Sequence, residues 1–264
     1  MAKNIIFFDI DGTIISEENH TIPSSAIEAM KTAREKGNLL FINTGRTPVI
    51  LPKVLRDLKF DGYVCGCGTY IEYNNEVLLY TSLGKEISKD LVNDLRKYNL
   101  DGILEGRDNL YFNTKTKKHH PEVLKIMESL KEEGFINEKA WDDTEIEADK
   151  LIIFIDEKSN FKPFFEKYND KLEFIKRSDD FYEIIPKGYS KATGIQFLID
   201  HLDIPFENTY AIGDSTNDLS MLKYVKNSIA MGNSNPVLFD LVSYVTTTLD
   251  DNGIKNALAH FDLI

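Results

Sequence analysis

Short apolar runs without alternation recur in the first part of this chain. Ile5-Ile6-Phe7-Phe8 and Leu39-Leu40-Phe41-Ile42 each predict a strand covered on both faces, as in a parallel sheet. Between them, Ser25-Ala26-Ile27-Glu28 fits a capping box. Ile27, Met30 and Ala33 follow at helical spacing, and Gly37 is placed to stop the helix. Strand, helix and strand make a βαβ unit, hence parallel pairing and a right-handed crossover. Residues 52–58 predict a helix and 62–65 a third strand. Residues 70–80 predict a hairpin turning at Asn74-Asn75.

From about Ser82 the texture changes. Residues 86–98 predict an amphipathic helix, and 102–105 and 110–113 paired strands around Gly106-Arg107-Asp108-Asn109. Another helix is predicted over 121–133, with Val123, Leu124, Met127 and Leu130 apolar. A strand over 150–156, a helix over 160–168 and strands over 172–175 and 181–185 follow. The set predicts an α+β unit with helices over one antiparallel sheet. At Gly188-Tyr189-Ser190-Lys191 the first texture returns, opening a helix with Ile195, Leu198, Ile199 and Leu202 on one face. Strands over 209–212, 227–231 and 243–246 complete the chain. The expectation is an α/β protein: a parallel-sheet core of residues 1–82 and 187–264, interrupted by an inserted unit of residues 83–186.

Composition adds limits. The chain has 264 residues, with 42% hydrophobic and 28% charged, enough for a sizeable core and ordinary for a folded soluble protein. A net charge of −12 argues against nucleic acid or an anionic membrane as the main partner. It also means that an anionic substrate would need a metal or local basic residues. No apolar run approaches the roughly 18 residues of a membrane span. The N-terminus lacks a basic stretch followed by an apolar one, so no signal peptide is expected. Cys65 and Cys67, the only cysteines, close no useful loop and lack further zinc ligands; they read as small residues packed near a strand end. A cytoplasmic location fits these features.

Candidate chemistry gathers where the strands end. Ile5–Phe8 runs into Asp9, Asp11 and Gly12, at the carboxyl end where open α/β sheets bind ligands. Two carboxylates at close quarters repel, and Mg²⁺ between hard oxygens relieves them. The second strand ends in Asn43-Thr44-Gly45-Arg46, where a hydroxyl, backbone N–H groups and a guanidinium suit an anion; a helix N-cap by Thr44 explains the same residues. Lys191 falls in the first turn of its helix, against the dipole, a placement that a shared anion would offset. The strand at 209–212 runs into Gly213-Asp214-Ser215-Thr216-Asn217-Asp218. Lys115, Lys117, Lys118, His119 and His120 form a basic patch in the insertion, read as a solvated loop or as a substrate-facing one. Each feature alone has a bland account, such as a polar turn after a buried strand or a surface lysine. Their convergence on one sheet edge suits phosphoryl transfer: carboxylates for Mg²⁺, donors for the phosphoryl oxygens, and a carboxylate nucleophile.

Asp9-Ile10-Asp11-Gly12-Thr13, Thr44-Gly45-Arg46, Lys191 and the Gly213–Asp218 stretch resemble the four motifs of the haloacid dehalogenase superfamily. The insertion resembles the large α/β cap of its Cof-type sugar-phosphatase branch, on a Rossmann-like core. The resemblance extends to Met231-Gly232-Asn233 and Tyr244-Val245-Thr246. It departs at Cys65-Gly66-Cys67-Gly68, where many relatives have Asn-Gly-Ala. The resemblance implies that Asp9 attacks phosphorus and becomes an aspartyl phosphate. It implies that Asp11 protonates the leaving oxygen and then deprotonates water. It assigns Mg²⁺ to Asp9, the Asp11 backbone carbonyl and Asp214, with Asp218 supporting that shell or orienting Lys191. Phosphoryl oxygens would meet Ile10 (through its amide), Thr44, Gly45, Arg46, Lys191 and Asn217. The implied partner is a small phosphorylated metabolite such as a sugar phosphate or phosphorylated cofactor. Two other classes use similar parts: a phosphosugar mutase or phosphotransferase, and a non-enzymatic phosphoacceptor signalling domain, which would lack the insertion and the acid at Asp11.

Overall fold

The computed structural model describes residues 3–116, 118–132 and 134–264. Lys117 of the basic patch, and Glu133 at the end of one expected helix, lie outside the described residues. The chain divides into two units. One comprises Met1–Gly45, Pro52–Leu79 and Ser190–Ile264; the other comprises Arg46–Leu51 and Tyr80–Tyr189.

In the first unit β1 (Ile5–Phe8) leads to α1 (Ser24–Glu35) and β2 (Leu39–Asn43). All residues of β1 and β2 are buried, the physical reason their sequences do not alternate. The capping box expected at Ser25 does not form. The Pro23 carbonyl accepts from the N–H groups of Ala26 (3.0 Å) and Ile27 (3.2 Å), so the helix starts at Ser24 and Ser25 falls inside the first turn. The buried face is accordingly Ala26, Ala29, Met30 and Ala33, and Ile27 is exposed. After α2 (Lys53–Asp57) come β3 (Gly62–Cys65), β4 (Tyr70–Tyr73) and β5 (Glu76–Tyr80). Asn74 (φ 50°) and Asn75 (φ 65°) take the left-handed conformation that a two-residue hairpin turn demands.

The second unit takes up α3 (Lys85–Lys97), β6 (Asp101–Glu105), β7 (Leu110–Phe112), α4 (Pro121–Glu132), β8 (Glu138–Ala140), β9 (Lys150–Phe154), α5 (Phe161–Tyr168), β10 (Leu172–Lys176) and β11 (Phe181–Pro186). Its sheet runs β10-β11-β9-β6-β7-β8. It departs from the expected antiparallel plan in one way. The unforeseen β8 pairs with β7 in parallel. Helices cover both faces of the sheet, because consecutive strand residues feed different clusters. Leu104, Leu151, Ile153 and Ile184 pack with α3 and α5, whereas Ile103, Ile152 and Phe154 pack with Val123 and Leu130 of α4.

The chain then returns through α6 (Lys191–His201), β12 (Thr209–Gly213), α7 (Leu219–Tyr224), β13 (Asn227–Ala230), β14 (Tyr244–Val245) and α8 (Gly253–His260) to complete the first sheet, ordered β14-β13-β12-β1-β2-β3-β4-β5. β12, β1, β2 and β3 are mutually parallel in that order. From β1 the chain departs to β2 on one side, and β12 comes in on the other. β1 thus lies at a topological switch point, beyond whose carboxyl end such sheets bind ligands. No helix among the described residues is long and apolar enough to cross a membrane.

Candidate active site

Asp9 is the first residue after β1, and Asp214 the first after β12. Because these strands are parallel neighbours, with Phe8 opposite Ile212, both acids leave the sheet side by side. Asp9 is held by its own N–H, which donates to the Ile212 carbonyl at 3.0 Å. Lys191 is the first residue of α6. Ser190 caps that helix by accepting from the Thr193 N–H at 3.2 Å, and Asn43 Nδ2 donates to the Lys191 carbonyl at 3.0 Å. These contacts aim a lysine that is only 1% exposed: Nζ donates to Asp9 Oδ1 at 2.5 Å and to Asp218 Oδ1 at 2.6 Å. The carboxylates offset the unfavourable placement of a cation at a helix start. Asp218 uses its other oxygen, Oδ2, to accept from the N–H groups of Asp214 (3.0 Å) and Ser215 (3.1 Å). Thr13 Oγ1 donates to Asp214 Oδ1 at 3.2 Å.

Two glycines are required by this crowding. A Cβ on Gly12 (φ 76°) would fall 2.4 Å from Asp214 Oδ2, and one on Gly213 would fall 2.6 Å from the Asp218 carboxyl carbon.

Ligand oxygens of Asp9, Asp214 and Asp218 all lie within 4.8 Å of one another, and all three residues are buried. Lys191 supplies one positive charge against three carboxyls. Burial first, then the charge of Asp218, pushes the Asp9 carboxyl up to about 7 despite Lys191. Burial, then the charges of Asp9 and Asp218, pushes Asp214 up to about 8, with the Thr13 hydrogen bond opposing. Burial alone would lower Lys191; the charges of Asp218 and Asp9 outweigh it and hold the ammonium above its ordinary range. Buried oxygen donors with a deficit of positive charge fit a hard divalent cation. Asp218 already spends both oxygens on Lys191 and the backbone, so Asp9 and Asp214 are the oxygens best placed to face a metal.

The Asp11 side chain is not part of this group; Asp11 is half-buried and forms a bridge with Ile15. Thr44 and Gly45 are buried beyond β2. Thr44 caps no helix: the next helical turn is Pro48–Ile50, with Thr47 at its cap. Arg46 falls in the second unit, where Nη1 donates to the Ile50 carbonyl at 3.2 Å. Asn217 Oδ1 accepts from Ser215 Oγ within the turn after β12. The Ile10 carbonyl accepts from Thr13, Ile14 and Ile15, closing the loop after Asp9. Asn233, which the resemblance took in without a role, donates from Nδ2 to the Gly12 carbonyl at 2.8 Å and accepts at Oδ1 from the Leu249 N–H at 3.1 Å. The basic patch borders a cleft of about 970 Å³ within the second unit, lined in part by Lys115, Lys118, His119 and His120. Cys65 and Cys67 are buried at and just beyond the end of β3, as expected for residues packed near a strand end.

YkrA of Bacillus subtilis (strain 168), named as a phosphatase, is 29% identical to this chain, with both chains covered completely. YcsE of the same organism, named as a 5-amino-6-(5-phospho-D-ribitylamino)uracil phosphatase, is 27% identical over 98% of this chain and 96% of its own. The solved structure of BT4131, described as a HAD subclass IIB sugar phosphatase, superimposes with a TM-score of 0.82 at 30% identity, covering 99% of this chain and 100% of its own. Residues 6–258 match the family described as haloacid dehalogenase-like hydrolase, and the chain belongs to that family.

Proposed function

We propose that the protein hydrolyses small phosphomonoesters through an aspartyl phosphate on Asp9. The observation that carries this reading is the buried Asp9 carboxylate, clamped by Lys191 at 2.5 Å beside Asp214 and Asp218 at the switch point of the sheet. Lys191 holds Oδ1 and fixes the carboxylate plane, which leaves Oδ2 for in-line attack on phosphorus. A bond forms from Asp9 to phosphorus as the ester bond to the leaving oxygen breaks, and Asp11 gives that oxygen its proton. Asp11, now a carboxylate, takes a proton from a water that attacks the same phosphorus. Orthophosphate leaves and Asp9 is restored. Thr44, Gly45, Arg46, Asn217, Lys191 and the Ile10 amide are the donors assigned to phosphoryl oxygens. Asp218 orients Lys191 and the turn after β12.

Asp9 and Asp214, with the Asp11 backbone carbonyl, are assigned to Mg²⁺, backed by Asp218. The cation, when bound, supplies positive charge to the phosphoryl oxygens and to the buried carboxylates. Relatives named for a sugar phosphatase and for a phosphoribitylamino-uracil phosphatase support a small phosphorylated metabolite as substrate.

The test is Asp9→Asn in the purified full chain, assayed against a panel of phosphorylated metabolites with Mg²⁺ and with EDTA. An amide neither attacks phosphorus nor balances a divalent cation, so turnover should vanish while the thermal midpoint stays near that of the wild type. EDTA should silence the wild type reversibly. Hydrolysis by Asp9→Asn above contaminant level would sink the nucleophile assignment, and full activity in EDTA would remove the metal.

A further inference from the structure

A second cluster of buried charge lies in the other unit and has no part in the chemistry above. Glu105 (3% exposed), Lys150 (2%) and Glu183 (7%) project from the adjacent strands β6, β9 and β11. Lys150 Nζ lies 3.6 Å from Glu105 Oε1 and 3.2 Å from Glu183 Oε1, and Arg177 Nη1 lies 3.3 Å from Glu183 Oε2. With Oε1 turned to Lys150, Glu105 Oε2 accepts from the fully buried Thr47 Oγ1 at 3.1 Å. Such a network is an expensive way to fill space, since apolar side chains of similar volume commonly stabilise as well or better.

The place of Thr47 along the chain explains its value. The chain crosses from the first unit to the second between Gly45 and Arg46. On the near side Thr44 is fixed by its N–H to the Val64 carbonyl at 2.9 Å and by its carbonyl, which accepts from the Cys67 N–H at 3.1 Å. On the far side Thr47 is fixed by Glu105, and Val49 and Ile50 pack on the apolar cluster of Ile103, Ile152 and Phe154. Thr44 and Thr47 are separated by at most about 10 Å of extended chain. The two residues between them, Gly45 and Arg46, are held at both ends.

We propose that Glu105 is a positioning residue for the Gly45–Arg46 turn, acting through Thr47, and that the Lys150–Glu183–Arg177 chain keeps Glu105 aimed at it. The inference rests on the phosphatase reading, which makes Gly45 and Arg46 phosphoryl-binding residues.

Inorganic phosphate, titrated calorimetrically into the full chain with Mg²⁺, probes the turn without turnover; p-nitrophenyl phosphate kinetics and thermal melts accompany it. Thr47→Val keeps the shape and loses the hydroxyl. It should weaken phosphate binding about tenfold and raise KM to match, with kcat changed less than about twofold. Thr47→Ser should restore both. Glu105→Gln keeps an acceptor but not its charge, and should weaken phosphate about threefold on its own and add nothing in the Thr47→Val background. If Thr47→Val does not fold, Glu105→Gln and Thr47→Ser still decide the matter. Wild-type phosphate affinity and KM in the folded variants, whatever their melting points, would make the contact merely structural and overturn the proposal. A wild type that neither binds phosphate nor turns over ester defeats the phosphatase reading, and this inference with it.

Discussion

Asp9 and Asp11 stand two positions apart, yet the structure places their carboxyls in different surroundings. Asp9 is buried, clamped by Lys191 and crowded by Asp214 and Asp218; Asp11 is half-buried and outside that cluster. A nucleophile must be fixed, whereas a group that gives and takes a proton needs access to both leaving oxygen and water. Substitutions should therefore fail differently. Asp11→Asn keeps the nucleophile and loses proton transfer, an effect on the order of 10²–10⁴ in rate. A quench-flow experiment on Asp11→Asn should detect slow formation and still slower decay of an acid-stable, base-labile phosphoenzyme, which Asp9→Asn should never form. Wild-type hydrolysis by Asp11→Asn would end its general acid/base role. Asp9 and its motif were legible because an uninterrupted apolar run ends in acids. Asn233 was legible as part of the resemblance but not its role, since its partners, the Gly12 carbonyl and the Leu249 N–H, are backbone groups that leave no mark on sequence pattern.

Elements were legible where hydrophobicity was strong and local. The parallel strands and α6 follow their apolar patterns, and the Asn74-Asn75 turn follows from residues that tolerate positive φ. Failures have equally local causes. Pro23 moved the cap of α1 two residues upstream of the one expected at Ser25 and turned Ile27 outward. The strand Glu138–Ala140 is short and polar, and α7 spans only six residues, too few to show a period. Strand β9 hides a further feature: its Lys150 side chain is paired, while the preceding Asp149, 1% exposed, accepts from Tyr80 Oη at 2.8 Å through Oδ1 and has no hydrogen-bond partner at Oδ2 among the described residues. Burial first, then the neighbouring charges of Glu147 and Glu105, push its carboxyl from the usual 3.8 to about 7, with Tyr80 opposing. A carboxyl raised in the folded state binds its proton more tightly there than in the unfolded chain. Its contribution to stability is thus lost as pH climbs from about 4 to about 7. Asp149→Asn should remove that slope, leaving the variant more stable relative to wild type at pH 8 than at pH 4 by an amount on the order of 2–4 kcal/mol. Urea melts of both proteins across this range measure the difference directly, and parallel curves would contradict it. Asp9 and Asp214 titrate in both proteins and cancel from the comparison.

At the scale of the molecule, the residues assigned to phosphoryl and metal come almost entirely from the first unit, with Arg46 the exception. None is assigned to the remainder of a metabolite. We therefore expect the inserted residues 83–186 to choose the substrate. The second unit has the means: a six-stranded sheet, two apolar clusters of its own, and loops carrying Lys115, Lys118, His119 and His120. The first unit likewise has a complete eight-stranded sheet and its own apolar cluster, which includes Phe7, Phe41, Ile195 and Ala211. Replacing residues 83–186 with a short linker should leave it folded, provided Val49 and Ile50, which lose their apolar neighbours, are changed to threonine. The shortened chain loses the Thr47–Glu105 contact as well, so its KM for every ester should rise. Slow, Mg²⁺-dependent hydrolysis of p-nitrophenyl phosphate should survive, because Asp9, Asp11, Lys191, Asp214 and Asp218 all remain. Differences among sugar phosphates and phosphorylated cofactors should shrink toward equality in kcat/KM, since the groups that discriminate are gone while those that bind phosphoryl are kept. If the shortened chain ranks a metabolite panel in the same order and with the same spread as the full chain, selectivity resides in the core and the insertion has another purpose.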